Sequence, residues 1–165
     1  LVSAAVSGAA VITETRNGGI QLIEVDFDQA VVLVNPGGIT VVDAGGTAYV
    51  PTGVSMVDAD TLAIAFTPPG SLPDQQCYTI DLDSCVQSIA GLPLAGDKDC
   101  RVRGLVGDVN NDENTDLIDM AFTKSKNGQP VLPANIRFDV NTDASIDLID
   151  MALVKSKNGN TAPCP

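Results

Sequence analysis

The sequence predicts a mainly β chain with an added α part: a β-sandwich over residues 1–103 and, after it, a small helical unit over residues 104–165. Three observations carry that expectation. Apolar and polar residues alternate in two short segments, turn residues punctuate the first part, and the second part holds a duplicated acidic loop running into an apolar helical segment.

In IEVDFDQ, Ile23, Val25 and Phe27 alternate with Glu24, Asp26 and Asp28, and in TLAIAFT Leu62, Ile64 and Phe66 fall on every second residue. A period of two puts one set of side chains on a buried face, so both segments are predicted strands. Turns are predicted at Asn17-Gly18-Gly19, Asn35-Pro36-Gly37-Gly38, Ala44-Gly45-Gly46 and Pro68-Pro69-Gly70. Strands recurring about every ten residues suggest a sandwich, and such a fold names no ligand by itself.

Composition then narrows the function classes. Nine Lys and Arg against 21 Asp and Glu give a formal net charge of -12, which argues against nucleic acid and anionic membrane surfaces and suits cation binding. No run of about 18 apolar residues is present, so no membrane insertion is expected. The opening LVSAAVSGAA has neither Met nor a basic segment, so any export signal is expected to lie outside this sequence. With no His and no Trp there is no histidine base, no His-ligated zinc and no tryptophan platform for sugars. The acids sit in short turns or in two ligand-like loops, and few aromatics exist to line a cleft, so no enzyme and no catalytic residue is expected.

The grammar changes after residue 104. GDVNNDENTDLIDMAFTKSKNGQ returns as FDVNTDASIDLIDMALVKSKNGN, with LIDMA and KSKNG unchanged. Counted from Asp108, oxygen-bearing side chains fall at loop positions 1, 3, 5, 9 and 12: Asp108, Asn110, Asp112, Asp116 and Asp119, and in the second copy Asp139, Asn141, Asp143, Asp147 and Asp150. That is the spacing of an EF-hand-like calcium loop, in which position 7 adds a main-chain carbonyl, here Asn114 and Ser145. Clustered carboxylates repel one another, and a hard cation that takes six to eight oxygens turns the cluster favourable. Two calcium ions are the expected cofactors.

Two departures from the EF-hand pattern stand out. Position 6, commonly Gly, is Glu113 in one loop and Ala144 in the other, so each backbone must turn with a Cβ present. Position 12 is Asp where EF-hands place Glu, so the backbone must come closer to the ion. After each loop, LIDMAFTKSKNG and LIDMALVKSKNG read as helices of about three turns closed by Asn-Gly, with acids at the start and lysines at the end. Ile118, Ala121 and Phe122 share one helix face, as do Ile149, Ala152 and Leu153. No helix signal precedes either loop, so each unit is half of an EF-hand.

Two resemblances follow from these residues. The order ITVVDA, a Gly-Gly turn, DADTLAIAFTPPGSL and CYTIDLDSCVQSIAGLPL resembles bacterial Ig-like domains over residues 10 to 103, which implies an N-terminal Ig-like β-sandwich acting as a spacer. The double D-x-N-x-D-x-x-x-D-x-x-D with only the exiting helix resembles the dockerin modules of bacterial extracellular assemblies over residues 105 to 160. That resemblance implies a small helical dockerin-like module with two calcium loops, and a calcium-dependent, non-catalytic protein-protein interaction: cohesin binding by a secreted or cell-surface protein, itself a monomer. It implies cohesin contacts at Leu117 and Ile118 with Lys124 and Ser125, and equivalently at Leu148 and Ile149 with Lys155 and Ser156. Leu-Ile stands where many dockerins carry Ser-Thr, which implies a more apolar partner surface. The other readings are that Ile118 and Ile149 pack the two helices together and that Lys124 and Lys155 are solvated helix ends. For function, the alternative is a structural surface protein in which calcium only rigidifies the second part.

Four cysteines form an even set with no Cys-x-x-Cys spacing, which reads as two disulfides in a secreted or surface protein. Three pairings are possible. With CYTIDLD and the Cys100–Arg103 segment as antiparallel last strands, Cys85 falls near Cys100 and Cys77 near the strand end entering the second part. Paired loop-helix repeats bring their termini together, so Cys164 is expected back at that junction. Cys85 with Cys100 and Cys77 with Cys164 is therefore favoured over Cys77 with Cys85, because eight residues of straight strand span about 26 Å.

Overall fold

The structure is a computed structural model; it describes residues 11–67, 71–95 and 98–165, together with the backbone of residues 2–5. The predicted turn at Pro68-Pro69-Gly70 lies outside the described residues.

Two sheets face each other around one apolar core. The first has four strands in the order β1 (Val2–Ala5), β3 (Leu22–Asp26), β8 (Thr61–Ala65) and β7 (Gly53–Met56). The two segments chosen for their alternation are β3 and β8. They pair antiparallel with Ile23 opposite Ile64 and Val25 opposite Leu62, and all four side chains are buried together with Phe66. The second sheet has five strands in the order β2 (Ile12–Glu14), β11 (Asp99–Gly104), β9 (Gln76–Asp81), β5 (Thr40–Asp43) and β6 (Ala48–Tyr49). From it Tyr78, Ile80, Val41 and Val102 enter the same core. A separate ribbon pairs β4 (Val31–Leu33) with β10 (Val86–Ser88).

Two helices complete the chain: α1, Leu117–Lys126, of ten residues and α2, Leu148–Ser156, of nine. Among the described residues no helix is long and apolar enough to cross a membrane. The expectation of a sandwich followed by a distinct small helical dockerin-like module is corrected here: the fold is sandwich-like and mostly β, with two short helices and no separate helical module. The repeats grow directly out of the sheet end. Leu105 N–H donates to the Glu14 carbonyl, Gly107 N–H to that of Thr15, and Asn17 N–H to that of Val140 at 2.7 Å. The physical reason is that such short helices bury little apolar surface of their own. Val106, Val109, Phe138, Val140, Ile146 and Val154 form their small core, and most of these come from β11's continuation and the loops rather than from a helix. Gly107 sits at φ 93°, and a Cβ there would lie 2.8 Å from Thr115 Cγ2 and 3.4 Å from Val154 Cα, so this glycine permits the close approach of the first loop to α2.

β9 and β11 pair antiparallel as expected, with Cys77 opposite Arg103 and Cys100 opposite Ile80. Cys77 is bonded to Cys164, with Cα atoms 5.3 Å apart, and Arg101 donates to the carbonyl of Pro165. The second expected bond, Cys85 to Cys100, is not formed: both residues are buried, and the Cys85 thiol instead donates to the Leu82 carbonyl in the turn after β9. That turn aims Cys85 along its own chain rather than across the hairpin.

The Cys77–Cys164 bond closes a loop of sequence separation 87. Replacing Cys164 with Ser is expected to lower the unfolding free energy by roughly 2–4 kcal/mol, chiefly by freeing the unfolded chain. Denaturant titration checks this: wild type in reductant should match the variant, and an unchanged midpoint in both cases would overturn it.

Candidate functional site

Each acidic loop is held by its own carboxylates. Asp108 takes the N–H of Asp112 on Oδ1 at 3.0 Å and that of Glu113 on Oδ2 at 3.3 Å; Asp139 does the same with Asp143 and Ala144, both at 3.1 Å. Asn110 and Asn141 each accept the N–H two residues on and donate to the Asp112 and Asp143 carboxylates at 2.7 and 2.8 Å. Asp112 and Asp143 in turn accept from the N–H of Asn114 and Ser145, at 3.0 and 2.9 Å. The repeats therefore match in these bonds, as they do in the residues that make them.

The position-12 acids join loop to helix. Asp119 accepts the Asn110 N–H at 3.2 Å and the Asp116 N–H at 2.8 Å, while Asp150 accepts those of Asn141 and Asp147 at 3.1 and 2.8 Å. Asp116 and Asp147 are the N-caps of α1 and α2 and accept from Ile118 and Ile149, each at 2.7 Å. Each pair forms a capping box, with the carboxylates placed at the positive end of the helix dipole.

Burial makes the carboxylates of the first loop costly to keep charged. Asp108, Asp119 and Asp150 are fully buried. Burial pushes the Asp108 carboxyl above the usual range, against the N–H groups of Asp112 and Glu113 and the charge of Arg103. Burial does the same to Asp119, and the charges of Asp108 and Asp112 reinforce it. The donor chemistry fits a hard cation, since every ligand candidate offers oxygen and each set comes from one loop and the first turn of the helix after it. Among the described residues, however, no three acidic side chains are already gathered as a metal cage. A bound ion would have to draw them inward.

Position 6 turns as the sequence requires. Glu113 has φ 77° and Ala144 φ 68°, and position 4 is also left-handed, with Asn111 at 66° and Thr142 at 63°. Such a conformation costs a residue with a Cβ about 1–2 kcal/mol.

The partner-contact candidates all face solvent. Leu117 is 62% exposed, Ile118 53% and Phe122 46% on α1, with Leu148 67% and Ile149 59% on α2. Lys124, Ser125, Lys155 and Ser156 are exposed beside them. Ile118 and Ile149 thus do not pack the helices together; Thr123 and Val154 are the buried helix residues besides Asp119 and Asp150.

Sequence reasoning missed the grip of the sandwich on the first loop. Arg103, 1% exposed, donates to Asp108 at 3.5 Å, to Glu113 at 2.6 Å and to Thr13 Oγ1 at 3.1 Å. The one signal was an arginine two residues from another in a strand ending at the loop; nothing in the pattern told the buried one from the exposed one.

No known protein-family model matches this chain, and no curated protein does. Among solved structures it is similar to a chain of the crystal structure of a type II cohesin-X-dockerin complex from Acetivibrio cellulolyticus, an N-terminal interface mutant. The identity is 16%, the match covers 86% of this chain and 97% of that one, and the TM-score is 0.31. At that score the functional reading rests on this chain's own residues.

Ala144→Gly is expected to raise stability by about 1 kcal/mol, because glycine accepts the left-handed turn freely. Glu113→Gly should bring no such gain, since it also removes the 2.6 Å ion pair with Arg103. Thermal unfolding of the two variants checks the contrast, and equal shifts would contradict it.

Proposed function

We propose that this chain is a non-catalytic, calcium-dependent docking protein whose partner surface is the exposed apolar face repeated on α1 and α2, and whose partner is a cohesin-like domain of an extracellular assembly. The observation that carries the reading is the solvent exposure of Leu117, Ile118 and Phe122 on one helix and of Leu148 and Ile149 at the matching positions of the other. Other apolar side chains are exposed too, Val50 and Ile89 among them, but these recur at matching positions of two helices beside polar residues, which suits an interaction surface. Lys124 and Lys155 flank the two faces and offer charge-assisted contacts at their rims.

Calcium enters as the support of those faces. Asp108, Asn110, Asp112, the Asn114 carbonyl, Asp116 and Asp119 would hold one ion, and Asp139, Asn141, Asp143, the Ser145 carbonyl, Asp147 and Asp150 the other. Bound there, the ion supplies positive charge that offsets the buried carboxylates. The capping acids Asp116, Asp119, Asp147 and Asp150 pass that constraint to the helices, because the same side chains fix the first turn on which Leu117, Ile118, Leu148 and Ile149 stand.

Because the faces carry nearly the same residues, either can seat a single partner. Ile118→Asp or Ile149→Asp alone is expected to weaken binding by no more than about threefold, and the double variant by more than about a hundredfold. The measurement is calorimetric titration of a cohesin-like domain from the source's extracellular fraction, with calcium and with EDTA. A single-site loss as large as the double sinks the two-face idea. Two calcium sites with no partner captured would leave calcium a purely structural role.

A further inference from the structure

The two loops match within themselves and differ in what the sandwich does to them. At the first loop, side chains of the sandwich reach side chains of the loop. Thr13 Oγ1 donates toward Asp108 at 3.2 Å and to Asn111, the Asn111 amide donates to the Val11 carbonyl at 2.9 Å, and the Arg103 guanidinium bridges Asp108 and Glu113. At the second loop the sandwich meets main-chain oxygens: Asn17 N–H to Val140 at 2.7 Å and the Thr15 hydroxyl to Arg137 at 2.8 Å. Arg16, the cation on that side, is engaged by both carboxylate oxygens of Glu14, at 2.7 and 2.6 Å, and Asp139 acts on it only through space.

Arg103 cannot release its charge, and a buried guanidinium requires carboxylates beside it. Its Nε–H is buried with no partner among the described residues, so its compensation comes from the two bonds to the loop and the one to Thr13. The residue it grips most closely, Glu113, has its backbone at φ 77°; the counterpart Ala144, at φ 68°, carries only a methyl group and offers nothing for a cation to bind. Charge repulsion is therefore offset in the first loop by a guanidinium in direct contact, whereas among the described residues the second loop has only the through-space charge of Arg16.

We propose that Arg103 is a positioning residue, a built-in counter-charge that keeps the first loop folded without metal, so that the second loop alone depends on calcium for its conformation. The proposal rests on the calcium reading for the second loop and stands apart from it for the first.

Amide hydrogen exchange on the full, oxidised chain tests it. In EDTA, Asp112 and Glu113 are expected to exchange at least about tenfold more slowly than Asp143 and Ala144, and calcium should slow the second pair while barely changing the first. Arg103→Met should bring the first pair to the rate of the second in EDTA, with calcium restoring protection, whereas Arg103→Lys should keep part of it. Should Arg103→Met fail to fold, Thr13→Val removes a donor to Asp108 without stranding a charge and is expected to act in the same direction. Unchanged exchange of Tyr78 and Ile80 separates this local effect from general loss of stability. Equal exchange of the two loops in wild type, or no change at the first loop in Arg103→Met or Thr13→Val, overturns the proposal. If calcium alters neither loop, the calcium reading falls, while the comparison in EDTA still decides the role of Arg103.

Discussion

The antiparallel pairing of β9 with β11 is the contact on which the rest of the molecule depends. It sets Cys77 opposite Arg103. One member of that pair holds the C-terminal tail through a covalent bond, and the other holds the first acidic loop through two ion pairs. A slip of one residue in this ladder would turn Arg103 to the other face of the sheet and strand its charge in the core. The register is fixed from the apolar side as well, since Tyr78, Ile80 and Val102 must all point into the sandwich.

Much of this was legible in the amino-acid order. The alternation in β3 and β8 was visible because each strand has one buried and one solvated face, and the acidic repeat was visible because side-chain spacing within a turn is a local property. Of what is decided at a distance along the chain, the Cys77–Cys164 bond and the antiparallel β9–β11 pair were legible, and the rest was not. The parallel pairings of β1 with β3 and of β2 with β11 join segments whose patterns say nothing about their neighbours. The fold class went wrong for the same reason. Helical periodicity announced α1 and α2 correctly, but it left open whether Ile118 and Ile149 face a partner or pack the helices together, and the core under the helices is supplied largely by Val106, Val109, Phe138 and Val140. A cysteine count likewise suggested two bonds where geometry forms Cys77–Cys164 and turns Cys85 to its own backbone.

The loops show how a chain can store acids close together. Asp108, Asp119, Asp139 and Asp150 are tied to main-chain N–H groups of their own repeat, so negative charge is met first by peptide dipoles. Those dipoles do not cancel the charge of Asp108 and Asp119, whose carboxyls remain pushed upward by burial. The same acids that order the loops also cap the helices bearing the exposed apolar side chains. Loop and helix face are thus two ends of one short hydrogen-bonded path.

The bond between Cys77 and Cys164 has a mechanical consequence. Tension applied at the C-terminal residues enters the sandwich at β9 through a covalent link, reinforced by Arg101 holding the Pro165 carbonyl. The load path therefore bypasses both acidic loops and both helices, which hang as a closed side-branch between β11 and the tail. A strained tether would leave them slack, keeping their own shape while the force runs past them.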